Sequence, residues 1–195
     1  MAPKQMKMKT NMKQNIINAL MATALTLLVG CATQHQCAQM GNAGWSRWEK
    51  SAGGNGHCYK AVAVTNGIAW TQAEKLARAE GGYLACITSK EENDFVFKLI
   101  NSPSFFTKGN KPSESSGPAL GGWQLDRSTE PDGGWCWVSG EPWNYTNWGP
   151  GEPNNWSGNE DRLQFYGWSP STPAATWNDR NRNTPMGGYV IERDH

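Results

Sequence analysis

Histidine is scarce in this 195-residue chain, with one at each of positions 35, 57 and 195. The first lies in a polar tether, the second at the edge of the folded part and the third is the last residue, so no Ser-His or Cys-His pairing suited to nucleophilic catalysis is in view. There is no C-x-x-C pair, and the only His beside a Cys is His57 next to Cys58, which leaves no zinc framework. Excess charge of either sign is missing too: 18 Lys and Arg against 17 Asp and Glu give a formal +1. Four of those lysines fall in the first thirty residues, and the mildly acidic remainder carries no basic footprint for nucleic acid. Long aliphatic runs are few beyond residue 30. Together with 11 Trp and 22 Gly, this argues against a helical bundle and for a loop-rich fold packed through aromatics.

The first thirty residues read as an export signal. Lys4, Lys7, Lys9 and Lys13 form a cationic segment, and residues 16–29 form an apolar run that falls short of the ~20 residues a membrane span needs. The run ends at Leu28-Val29-Gly30-Cys31, which resembles a bacterial lipobox, so Cys31 is expected to be lipidated and to begin the mature chain. Ala32 behind it fits an outer-membrane destination. Residues 31–54, polar apart from Trp45 and Trp48, are expected to tether one domain spanning 55–195, with the two tryptophans docking the tether's end. Cys37, Cys58, Cys86 and Cys136 are an even set for an oxidising compartment, with three possible connectivities.

Within the domain, 58–63 has strand character. Residues 70–80 read as a helix with a Thr71/Glu74 capping pattern, an apolar face of Trp70, Ala73, Leu76 and Ala77, and a Gly81-Gly82 stop. A short strand at 83–87 precedes a second helix at 90–100, opened by Ser89 and Glu92, with Phe95, Val96, Leu99 and Ile100 facing inward. Residues 101–118 read as a surface loop, and 120–125, 135–138, 162–166, 174–177 and 188–192 as short strands. The order predicts a mixed, largely antiparallel α+β domain.

Three oxygen-rich clusters close the chain: Glu152-Pro153-Asn154, Glu160-Asp161 and Trp177-Asn178-Asp179. Ca²⁺ takes about 6–8 oxygen ligands, which carboxylates and amide carbonyls on loops supply, so Glu152, Asn154, Glu160, Asn178 and Asp179 are candidate calcium ligands. Glu141-Pro142 echoes the first cluster without an amide after the proline and reads as structural.

Over nearly all of residues 57–193 the chain resembles the C-type lectin-like domain. The resemblance rests on Trp70-Thr71-Gln72-Ala73 with Gly81-Gly82-Tyr83-Leu84-Ala85-Cys86-Ile87, on Ser89 to Val96, on Trp135-Cys136-Trp137-Val138-Ser139-Gly140 with Tyr145-Thr146-Asn147-Trp148, and on the three clusters in family order. It implies a C-type lectin-like fold of two helices, short antiparallel strands and a long calcium-binding loop. It also implies that Glu152, Asn154, Glu160, Asn178 and Asp179 hold both the ion and the sugar, and that the bond before Pro153 is cis. Vicinal hydroxyls would complete the ion's shell while carboxylates accept, and amide NH groups donate, hydrogen bonds.

Glu-Pro-Asn is the family pattern for equatorial 3,4-hydroxyls, which implies mannose, glucose, fucose or N-acetylglucosamine. Trp156 offers an aromatic face that also suits galactose. Where the family has its usual two disulfides, this chain has Ala77 with Ile191 and Arg162 with Arg182. The first pair is expected to pack and the arginines to reach solvent. A second calcium would draw on Asp161 with Asp132 or Asp126. The resulting expectation is a non-enzymatic, calcium-dependent carbohydrate-binding protein, lipid-anchored at a bacterial surface. A protein-binding adhesin with structural calcium is the alternative.

Overall fold

The computed structural model describes Cys37 and residues 44–108, 114–169 and 171–194. The expected export signal, Cys31, His35, His195 and the residues of the expected tether before Gly44 other than Cys37 lie outside the described residues, and the chain divides into units 1–43 and 44–195. Folding of the second unit starts within the stretch expected to be tether. Strand β1 (Trp45–Arg47) pairs antiparallel with β2 (Cys58–Ile68), and Trp48 stacks on Phe95 at 5.8 Å between ring centroids. Cys37 and Cys58 are each in a disulfide, whereas Cys86 and Cys136 are free thiols, so the even set is only partly oxidised.

Helix α1 (Trp70–Ala79) buries Trp70, Ala73 and Ala77, while Leu76 stays partly exposed. Its predicted capping box does not form, because the N-cap is Ala69 and Thr71 lies inside the first turn. Glu74 instead accepts hydrogen bonds from Arg78 Nε and the Leu84 backbone N–H, tying the helix to β3 (Tyr83–Leu84). The glycine stop is as expected: Gly81 sits at φ 77°, and the N–H groups of Gly81 and Gly82 bond back to the carbonyls of Arg78 and Ala77, a Schellman closure.

Helix α2 (Lys90–Ile100) has the predicted bounds and is capped by Ser89, whose hydroxyl accepts from the Glu92 N–H at 3.1 Å. Replacing Ser89 by Ala is expected to destabilise the protein by about 1 kcal/mol, read as a lower midpoint in urea with an unchanged slope. Val96 and Ile100 are buried as expected, but Glu92 and Asn93 join them, which hydrophobic periodicity cannot reveal. Glu92 accepts from the Thr88 N–H at 2.7 Å and from Tyr59 Oη, and Tyr59 Oη also lies 3.0 Å from Glu192 Oε1. His57 Nδ1 lies 2.6 Å from Glu192. That contact raises the histidine's pKa, while burial pushes Glu192 up to about 7.

The remaining strands are β4 (Thr107–Lys108), β5 (Ser115–Gln124), β6 (Trp135–Trp137), β7 (Arg162–Ser169), β8 (Thr172–Arg180) and β9 (Met186–Arg193). The main sheet runs β1-β2-β9-β5-β7-β8, antiparallel except for the β5–β9 pair. Residues 101–118 are therefore not one surface loop. Their Ser and Gly content partly reflects a central strand under close cover: a Cβ on Gly117 would lie 2.6 Å from both a Phe106 ring atom and the Phe165 carbonyl oxygen.

The two residue pairs that the resemblance sets against family disulfides are accommodated differently. Ala77 and Ile191 are both fully buried in one apolar cluster with Leu84 and Tyr189, as expected. The arginines depart from expectation. Arg162 is buried, with its guanidinium 4.8 Å from the Trp70 ring centroid and 5.6 Å from that of Trp123. Asp161 lies between the two arginines, 3.1 Å from Arg162 Nη1 and hydrogen-bonded to Arg182 Nη2. A planar cation between indole faces needs a counter-charge once it leaves water, and Asp161 supplies it. Asp161 is thereby committed to arginines rather than to a second ion.

Candidate functional site

The loop between β6 and β7 is long and irregular, and tryptophan holds its base. Trp177 is fully buried, donates its indole N–H to Asn93 Oδ1 at 2.8 Å, and meets Trp137, Trp143, Tyr145 and Trp148 with ring centroids 5.5–6.1 Å away. The backbone adds a ladder. Trp177 N–H donates to the Asn147 carbonyl and Gly149 N–H to the Trp177 carbonyl, both at 2.8 Å. Asn178 and Asp179, next along β8, are thus positioned by a rigid aromatic block.

Asp179 then fixes the tip of the loop. Fully buried, its carboxylate accepts from the N–H groups of Asn154 at 3.1 Å and Asn155 at 2.7 Å, just after a cis Glu152–Pro153 bond. Asn155 turns the chain at φ 46°, its side-chain oxygen accepts from the Glu160 N–H at 3.1 Å, and Glu160 accepts from the Trp156 N–H at the same distance. Glu152, Asn154, Trp156, Glu160 and Asn178 consequently line one cleft, with Asp179 as the brace behind it. All six residues singled out from the sequence are brought together. Three further residues line the cleft: Glu114, Tyr166 and Arg180. Arg180 follows the third cluster directly and was within reach of sequence reading. Glu114 and Tyr166 arrive only through the pairing of β5 with β7.

Acidic groups crowd this cleft. Burial first, then the charges of Asp179 and Glu160, push Glu152 up to about 8. Glu160 rises to about 7, by burial and then Asp179, against the opposing Trp156 N–H and Arg180. Asp179 is raised by burial, with the Asn154 and Asn155 N–H groups opposing. Glu152 Oε2 and Asn178 Oδ1 are buried with no hydrogen-bond partner. Unpaired buried oxygens are costly, and a hard cation satisfies such a set at once. The donors are all oxygen, so the residues fit Ca²⁺ rather than a thiolate- or imidazole-binding metal. Among the described residues, two other groups of metal-type side chains, His57–Glu192–Asp194 and Cys86–Glu141–Glu192, share no residue with this cleft.

A family model for the lectin C-type domain matches residues 66–187. The chain belongs to the C-type lectin domain family. It is 32% identical over 149 residues to a perlucin-like protein of Mytilus galloprovincialis, covering 76% of this chain and 80% of the relative. Among solved structures, the carbohydrate-recognition domain of cow CD23, crystallised in the presence of a GlcNAc2Man3 oligosaccharide, superposes with a TM-score of 0.57 at 24% identity, covering 79% of this chain and 95% of that one. A calcium-independent type II antifreeze protein superposes with a TM-score of 0.54 at 20% identity, covering 78% and 92%. This fold therefore occurs both in a carbohydrate-recognition domain and in a protein that works without calcium. What separates the two possibilities here is the donor set.

Proposed function

We propose that the chain is a calcium-dependent lectin in which Glu152, Asn154, Glu160, Asn178 and Asp179 hold one Ca²⁺, and the ion together with those side chains binds a glycan through vicinal hydroxyls. The observation that carries this reading is the pair of partnerless buried oxygens, Glu152 Oε2 and Asn178 Oδ1, in a cleft shared with Glu160 and Asn154. When bound, the ion supplies an electrophilic centre for two hydroxyl oxygens. The protein's carboxylates accept hydroxyl protons and its amides donate to hydroxyl lone pairs.

The Glu152-Pro153-Asn154 order supports equatorial 3,4-hydroxyls, the mannose type. Anchoring through a lipid on Cys31, at the surface of a bacterial cell, is part of the same proposal and rests on the lysines, the apolar run and the Leu-Val-Gly-Cys sequence.

A glycan array probed with calcium and again with EDTA tests the reading. Signals on mannose-type glycans that vanish with EDTA are expected. Signals on galactose-type glycans would assign the recognition to Trp156 stacking, and flat signals in both conditions would refute the lectin. Glu152→Gln with Asn154→Asp is expected to abolish mannose-type binding while leaving the melting curve cooperative. An adhesin that binds protein would not show that selective loss.

A further inference from the structure

Trp156 and Trp168 are two of the four large hydrophobic side chains exposed among the described residues, at 61% and 55%. Trp156 is already part of the cleft. Trp168 is a residue that neither the cluster motifs nor the aromatic block at the base of the loop explains. Its ring meets Tyr166 edge-on, with centroids 6.2 Å apart, and Tyr166 lines the cleft that holds Glu152 and Asn178.

Strand geometry accounts for the arrangement. Gln164 pairs with Asn178 across β7 and β8, and Tyr166 and Trp168 follow it along β7, where the pairing with β8 shifts register on either side of Gly167. Leu163, Gln164 and Phe165 are all buried, Tyr166 is half-buried and Trp168 is exposed.

From this we infer that Tyr166 and Trp168 form a second subsite that takes the next sugar ring of an oligosaccharide whose terminal residue sits in the primary cleft. This rests on the lectin reading and specifies its substrate as an oligosaccharide rather than a single sugar. The chemistry suits a pyranose: one face of the ring carries C–H groups that pack on an aromatic surface, and an exposed indole offers its N–H to a hydroxyl at the wet edge. The occupant is set by continuity with the primary cleft. An aromatic ledge meeting a polar, acidic cleft at Tyr166 matches a chain of alternating C–H faces and hydroxyl edges better than it matches an apolar peptide.

The experiment is calorimetry of the protein in calcium with mannose and with a mannotriose, and in parallel with galactose and a galactotriose. Wild type is expected to bind one of the trisaccharides about 3- to 10-fold more tightly than its monosaccharide, the range that a single aromatic contact supplies. Trp168→Ala should remove that gain and leave monosaccharide affinity within about twofold, and Trp168→Phe should keep most of it. A trisaccharide bound no better than the monosaccharide, or a Trp168→Ala variant that keeps the gain or weakens both ligands equally, would overturn the subsite while leaving the lectin reading standing. Failure of every sugar to bind would remove the lectin reading and the subsite together.

Discussion

Calcium is expected to raise the melting temperature of the protein by about 5–10 °C at pH 8, with the ion at a hundredfold excess over its Kd, and by clearly less at pH 5. The sign follows from the carboxylates of the cleft. Without the ion, Glu152 titrates near 8 and Glu160 near 7, above the ordinary value of 4.5, and Asp179 is also raised. The folded state therefore holds more protons than the unfolded chain between about pH 4.5 and 8, and stability falls as pH rises through that window. Buried Glu192 and its partner His57 shift in the same sense, so the calcium-free protein should melt lower at pH 8 than at pH 5. In the proposed site calcium would replace the protons at Glu152, Glu160 and Asp179 but not at Glu192. The difference between melting curves with calcium and with EDTA isolates the cleft and should grow with pH. A calcium shift that is independent of pH, or one retained by Glu152→Gln, would place the ion elsewhere.

The second large effect belongs to Asp161 and the two arginines it faces, Arg162 and Arg182. Asp161→Asn should destabilise the protein by about 3 kcal/mol, because it removes the charge facing a guanidinium held between Trp70 and Trp123. Arg162→Met should be milder, since a flexible apolar side chain keeps contact with both rings and leaves no unpaired cation. The double variant should recover part of the loss seen in Asp161→Asn alone. Equilibrium urea unfolding of the three variants measures this coupling. Additive losses would mean that the buried pair contributes nothing beyond its separate contacts. The arrangement also separates stability from function, because Asp161 adjoins Glu160 in sequence yet serves the arginines rather than the cleft.

Local signals predicted much of this fold. The bounds of α2, its Ser89 cap and the Gly81-Gly82 stop follow from hydrogen bonds spanning three to five residues, which a sequence displays directly. The failures have a common source in partners distant along the chain. Thr71 and Glu74 have the spacing of a capping box, but Glu74 is drawn to Leu84 and Arg78. Ser115 to Gly117 reads as loop because small residues also occur where Phe106 and Phe165 press on a central strand. Arg162 reads as a surface residue because nothing local announces two indole faces. The lining of the cleft was more legible than the scaffold: its oxygen-bearing residues sit in compact sequence clusters, and the fold had only to bring the clusters together. Glu114 and Tyr166 were invisible because they reach the cleft through strand pairing alone.

Isothermal titration of Ca²⁺ into the metal-free protein at pH 7.5, repeated on Glu152→Gln and Asn178→Ala, tests the central claim most directly. One site is predicted in the wild type, with affinity lost or reduced at least tenfold in each variant. Undetectable binding in the wild type, or equal affinity in all three proteins, would contradict it.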